Sequence, residues 1–217
     1  MADLLPTNFP IPSENVIASY NFLDIIQSVG YGQLYLGDTA SNKIMSNIDW
    51  YSYGGVTSIL NNTIDIDFDI IINRPLTLNG KMIVFAQFGL ELGPAAGAQA
   101  VATTWTAKLR KWDGSSETEI ANGSATVSSV TNVTPGSIFY KITSVDFTVT
   151  NSVFKAGDTL RLTFATTSPG DPNKGIHIIY DPKGRDVYVA PLIGSGTAEG
   201  ETRINQSIAL IPIKLEL

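Results

Sequence analysis

The chain has 217 residues, carries a net charge of −6, and contains one histidine and no cysteine. Disulfide frameworks, thiolate zinc sites and a cysteine nucleophile are thereby removed together. The scattered lysines and arginines offer no concentrated cationic groove, so direct nucleic-acid binding is disfavoured.

Only 16% of residues are charged, against about 25% in an average soluble domain. That suits a surface partly covered by a partner, or one kept wet by serine, threonine and asparagine. The first expected element is an extended arm over residues 1–15, MADLLPTNFPIPSEN. Pro6, Pro10 and Pro12 fix φ, restrict the residue before each, and give neither helix nor ladder hydrogen bonds. Leu4, Leu5, Phe9 and Ile11 would otherwise sit in water, so the arm is expected to lie along a neighbouring subunit. The first cation is Lys43, and the lack of a basic stretch before an apolar one argues against a secretory signal. No run approaches the roughly 18 apolar residues of a membrane span, so no membrane partner is expected.

From residue 16 to 217 the chain reads as one domain with a side-chain period of two. "LDIIQSVG" (23–30) comes nearest to a helical stripe and is expected to give one turn at most. "TIDIDFDI" (63–70) sends Ile64, Ile66, Phe68 and Ile70 one way and Asp65, Asp67 and Asp69 the other. "KMIVFAQFGLEL" (81–92), "VATTWTAKLRKW" (101–112) and "SIFYKITSVDFTVTN" (137–151) are rich in β-branched and aromatic residues. "DTLRLTFATTS" (158–168), "GIHIIY" (175–180) and "INQSIALIPIKLEL" (204–217) continue the pattern. Turns are expected at Asn79-Gly80, Asp113-Gly114, Asn122-Gly123, Pro135-Gly136, Gly157-Asp158 and Pro182-Lys183-Gly184. Asp113-Gly114 is expected to close a hairpin. Eight to eleven strands and no helix predict an all-β fold. Its form is an antiparallel, jelly-roll-like β-sandwich behind the extended Pro-rich N-terminal arm.

Asp65, Asp67 and Asp69 are the stretch most like a site. Alternate strand residues stand roughly 6.5–7 Å apart on one face, a spacing compatible with paired glycosidase carboxyls. Such catalysis needs one carboxyl kept protonated by apolar surroundings, and a row of like neighbours gives no sign of that. D-x-D-x-D also opens an EF-hand loop, but Ile70 and Leu76 stand where its Gly and Glu belong. The row therefore reads as a solvated face whose charges discourage wrong strand pairing. Ca2+ bound on the sheet with help from another segment is the functional alternative, and no other cofactor is expected.

His177 would have to serve any triad or zinc site. Its alternating neighbours favour an ordinary half-buried strand residue. In "GSGTAEGETR" (194–203) the glycines fall one residue too wide for a dinucleotide loop. "GDPNKG" (170–175) lacks the Lys and Ser/Thr of a phosphate loop. Both read as mobile loops at a sandwich edge. Trp50, Tyr51 and Tyr53, followed by two glycines, suit stacking on sugar rings or anchoring a protein contact, or else packing between strands.

The passages "ASYNFLDIIQSVGYGQLYLGDT", "TIDIDFDIIINRPLTLNGKMIVFAQFGL", "KWDGSSETEIANGSATV" and "FKAGDTLRLTF…IIYDPKGRD" recur in order across residues 16–186. In these the chain resembles β-rich virion structural proteins of tailed bacteriophages. The resemblance implies a component of the virion, assembled in the host cytoplasm: capsid-associated, or part of a tail or fibre. It carries no catalytic residue to transfer, and the expectation is that the chain is not an enzyme. Its partners would be other copies of itself and other virion proteins, in a symmetric homo-oligomer. The rival expectation is a carbohydrate-binding host-attachment module that uses Trp50, Tyr51 and Tyr53.

Overall fold

A computed structural model of the chain describes residues 29–38, 42–46, 55–60, 63–129, 132–180 and 207–214. Every element among them is a strand. They are β1 (Val29–Asp38), β2 (Lys43–Ser46), β3 (Gly55–Leu60), β4 (Ile64–Ile71), β5 (Leu76–Leu92), β6 (Ala102–Trp112), β7 (Glu117–Ser128), β8 (Ser137–Phe154), β9 (Thr159–Thr166), β10 (Lys174–Tyr180) and β11 (Ile208–Lys214). The arm, residues 23–28 and the Pro182-Lys183-Gly184 turn lie outside the described residues. Val29 and Gly30, the end of the stretch expected to turn, belong to β1.

Hydrogen bonding joins the strands in the order β3-β10-β5-β11-β1-β2-β4-β9-β6-β7, with β8 paired along β5. The ribbon curls over at β1–β2, so that β4, β9 and β6 face β5 and β10 across the interior. This is the expected all-β, jelly-roll-like sandwich. One pairing departs from the antiparallel rule: β2 and β4 run parallel through the single pair Ile44↔Asp69.

Alternation dictates which residues the layers share. Ile64, Ile66 and Phe68 of β4, Trp105, Ala107 and Leu109 of β6, and Leu162 and Phe164 of β9 point inward. They meet Phe88, Leu90 and Leu92 of β5 and Ile176, Ile178 and Tyr180 of β10, all of them buried. A chain of rings spans the gap. Phe88 lies 5.2 Å from Trp105, Trp105 lies 5.4 Å from Phe164, and Phe68 lies 5.5 Å from Phe164 and 5.0 Å from Tyr180. Offset and edge-on contacts of this kind add about 0.5–1.5 kcal/mol each to the burial itself.

Two of the expected turns are strand interior instead. At Asn79-Gly80 the register between β5 and β8 shifts. Two β8 residues, Thr150 and Asn151, oppose the single Asn79, whose side chain accepts the Asn151 N–H at 3.2 Å; this is a β-bulge. Asn122-Gly123 sits within β7 because β7 packs tightly there on β8. A Cβ on Gly123 would meet Val145 Cγ2 at 2.9 Å and the Asp146 carbonyl at 3.0 Å. Glycine at both places serves close approach or irregular pairing rather than chain reversal. Asp113-Gly114 does close the β6–β7 hairpin. The Asp113 carboxylate accepts the N–H groups of Ser115 and Ser116, each at 2.9 Å, and those bonds, that from Ser116 foremost, hold its pKa well below the usual range.

Another turn carries a titratable latch. In the β8–β9 connection, the buried Asp158 carboxylate accepts the Lys155 N–H at 2.6 Å and pairs with Lys111 Nζ at 2.8 Å. Lys111 also reaches the Val153 carbonyl at 2.9 Å. The Lys111 hydrogen bond, then that from Lys155, lowers the Asp158 pKa from its ordinary 3.8. A carboxylate lowered on folding stabilises the protein above the unfolded value, and that contribution is lost as pH falls through the folded one. Chemical denaturation of Asp158→Asn between pH 2 and 7 is therefore expected to show lower stability at neutrality. Its slope against pH below about 4 should be shallower than that of the unsubstituted chain. Equal slopes would show that the latch does not titrate with folding.

Candidate functional site

The two outer faces of the sandwich differ in kind. On β4, β9 and β6 the pairing places Asp69 opposite Arg161, and Arg161 opposite Arg110. Like charges directly opposite destabilise a sheet, so the two arginines need counter-charges, and the aspartates supply them. Arg161 holds Asp69 in a two-pronged contact, Nε to Oδ1 and Nη2 to Oδ2, both at 2.7 Å. It also reaches Asp67 at 3.4 Å and Glu117 at 2.8 Å. Arg110 lies 3.8 Å from Asp65, 3.9 Å from Asp67 and 3.3 Å from Glu117. Thr163 donates its hydroxyl to Asp67 at 2.5 Å. The contacts of Arg161 with Asp69, Asp67 and Glu117, the Asp69 hydrogen bonds first, raise its pKa above the ordinary value.

The aspartate row is thus part of an ion-pair network, four carboxylates around two guanidinium groups, rather than a bare solvated face. Asp65 is exposed, while Asp67 and Asp69 are half-buried.

Beside the network lies an open depression of about 530 Å³. It is lined by Asp67, Asp69 and Ile71 of β4, Thr159 of β9, Lys43 and Ile44 of β2, and Asn42 just before β2. Ile71 is 63% exposed. Trp112 of β6 pairs with Thr159, which pairs with Ile71, so a half-buried indole stands in the same row. Arg110, Arg161, Glu117, Thr163 and Trp112 were not singled out by sequence reasoning. Alternation puts each on its outer face, but only the strand order brings them together.

The outer face of the other layer carries apolar cross-strand rows. Phe85, Ile208 and Tyr35 form one cross-strand row, and Ile83, Leu210 and Gln33 the next, all half-buried. Ile142 on β8 is 45% exposed. Asp146 of β8 stands directly across from Ile83 in the second of these rows, paired at 2.9 Å with Lys81.

On this side, too, lies His177. The half-buried position expected for it is corrected: His177 is fully buried, and its Nε2 lies 2.8 Å from the equally buried Glu91 carboxylate. Gly89, directly across from it on β5, makes the room, since a Cβ there would lie 3.2 Å from that of His177. The "GDPNKG" segment spends its backbone donors on itself. Asp171 accepts the Asn173 N–H at 2.8 Å and Ser168 the Gly170 N–H at 3.1 Å. It is further tied down by Gln99, at 3.3 Å from Asp171. Leu4, Leu5, Phe9, Ile11, Trp50, Tyr51, Tyr53 and the 194–203 loop lie outside the described residues.

No family model matches the chain, and no curated protein matches it. Among solved structures, the fold is similar to that of a CocE/NonD family hydrolase from Staphylococcus aureus, with TM-score 0.56 and 16% identity over 85% of this chain. A second structure of that hydrolase gives 0.50 at 14% identity. An aminopeptidase from a marine sediment archaeon, Thaumarchaeota archaeon, gives 0.51 at 9% identity over 87% of this chain. The chain spans 37% of the length of each. At such identities the likeness establishes the fold alone. It nevertheless corrects one expectation. The expectation that the chain is not an enzyme, drawn from a resemblance with no catalytic residue to transfer, meets an architecture that recurs within two kinds of hydrolytic enzyme. The fold is no argument against catalysis.

Proposed function

We propose that the chain is a structural component of a phage particle that works by burying sheet surface against neighbouring copies of itself. One observation carries this reading: apolar side chains form cross-strand rows on the outer face of one layer, beside the Lys81–Asp146 ion pair, while the carboxylate–arginine network lies on the other. A free-standing sandwich needs only its inner faces apolar. Rows such as Phe85–Ile208–Tyr35 and Ile83–Leu210, with the exposed Ile142 beside them, suit a further layer. The low charge fraction points the same way, because interface cores are depleted in charge. The resemblance to tailed-phage virion proteins supplies the setting.

Sedimentation velocity on the full chain over a range of concentrations tests it. A concentration-dependent oligomer is expected, weakened roughly tenfold or more by Ile142→Asp, a loss of about 1.4 kcal/mol in association. Because Ile142 is 45% exposed and lies outside the core, the thermal midpoint should move little. A chain that stays monomeric throughout, or an oligomer indifferent to Ile142→Asp, would overturn the proposal.

A further inference from the structure

We infer that the depression beside the charge network binds a neutral saccharide. The inference goes beyond the assembly role, since it concerns the opposite face of the sandwich. Its volume of about 530 Å³ falls within the usual 300–1,000 Å³ range of small-ligand sites, enough for one or two sugar rings.

Charge selects the ligand class. The two carboxylates that line the depression, Asp67 and Asp69, are both held by Arg161, which also pairs with Glu117, and the Lys43 ammonium lies 5.4 Å from the Tyr180 ring centroid. A hard cation would have to displace the guanidinium, and an anion would face the carboxylates. A neutral ligand rich in hydroxyls meets neither obstacle. An ionised carboxylate accepts at about four lone-pair positions. Arg161 takes two on Asp69, while Thr163 and Arg161 share those used on Asp67. Acceptor capacity remains, on side chains whose rotamers are already fixed by bidentate and hydroxyl contacts. That pre-organisation lowers the entropic cost of binding.

The remaining lining suits the other half of a sugar. Ile71 is the most exposed large apolar side chain among the described residues, and with Ile44 it presents aliphatic surface to the C–H face of a pyranose. Thr159 lies between Ile71 and Trp112 in the cross-strand row. A longer glycan leaving the depression over Thr159 would come next to the indole, an amphipathic ring of the kind that packs on apolar surface while its N–H stays polar.

The probes are free glucose, galactose and N-acetylglucosamine in saturation-transfer NMR, and an array of neutral oligosaccharides, each applied to the full chain with and without chelator. Saturation transfer to at least one probe is expected, unaffected by chelator. Affinity should fall about tenfold or more in Ile71→Ala and in Asp67→Asn, the latter retaining an acceptor for Thr163. Ile71→Ala removes an exposed side chain and should leave the melting curve in place. Trp112→Ala should weaken array binding of oligosaccharides while leaving the free hexoses unchanged. Free hexose binding would assign the site to single sugars, and array binding alone to a polymeric glycan; either supports the inference. Silence in both, binding indifferent to Ile71→Ala and Asp67→Asn, or binding abolished by chelator would overturn it.

Discussion

Trp105→Ala is expected to lower stability by about 3–5 kcal/mol, the range for deleting a large aromatic side chain from a packed core. For a domain of this length each kcal/mol moves the midpoint by roughly 2–4 °C, so circular-dichroism melts should shift down by about 6–20 °C. The size of the effect follows from position. Trp105 is fully buried and touches Phe88 in the facing layer as well as Phe164 beside it. Its removal breaks the chain of rings at the link between layers, and neighbouring rings cannot collapse into the gap without leaving their own sheets. Trp105→Phe should cost far less, under about 1.5 kcal/mol. The indole Nε1 is buried without a hydrogen-bond partner, so phenylalanine forfeits packing volume while removing an unsatisfied donor. If the two variants melted together, the indole N–H would have to be bonded after all. If Trp105→Ala melted with the unsubstituted chain, the ring chain would not be what joins the layers.

The alternation that put Trp105 inside is legible in the sequence, and so is most of the fold. "TIDIDFDI" alternates so strictly that its inner and outer sets can be assigned from eight residues, and β4 (Ile64–Ile71) keeps them. Period two says which face a residue takes. It does not say which strand lies alongside. The Asp69–Arg161 contact joins residues 92 positions apart, and nothing local in either segment fixes that register. Arg161 and Thr163 alternate with leucines just as the aspartates alternate with isoleucines, which is a complementary pattern. It becomes a network only once β4 and β9 are known to pair. The glycines of Asn79-Gly80 and Asn122-Gly123 misled for a related reason. Gly123 is needed because β8 comes close to it, a tertiary fact, whereas Gly114 answers to its own hairpin.

His177→Leu is expected to destabilise the chain by about 3–5 kcal/mol, whereas the double variant His177→Leu/Glu91→Met should recover most of that loss. Breaking one side of a buried pair strands the other charge or polar group away from water, which accounts for the single-variant cost. Two apolar side chains of similar bulk remove both desolvation penalties at once. A double-mutant cycle by urea denaturation reads the coupling directly, and additive costs would show that the two groups do not act as a pair. The pair's value is expected to lie in specificity. β10 reads KGIHIIY, with His177 flanked by Ile176 and Ile178 in the main core and Ile179 in a small cluster with Ile138 and Tyr140 on the outer side. Such a strand is apolar on both faces, and a slip of one residue would exchange its two sides at little hydrophobic cost. The slip would drive the imidazole into the ring-lined interior and away from Glu91, a penalty absent from the doubly apolar chain. The double variant should therefore be nearly as stable as the unsubstituted chain yet show extra or broadened amide resonances along β10 and its neighbours β3 and β5. Sharp, single resonances there would mean that alternation elsewhere already pins the register.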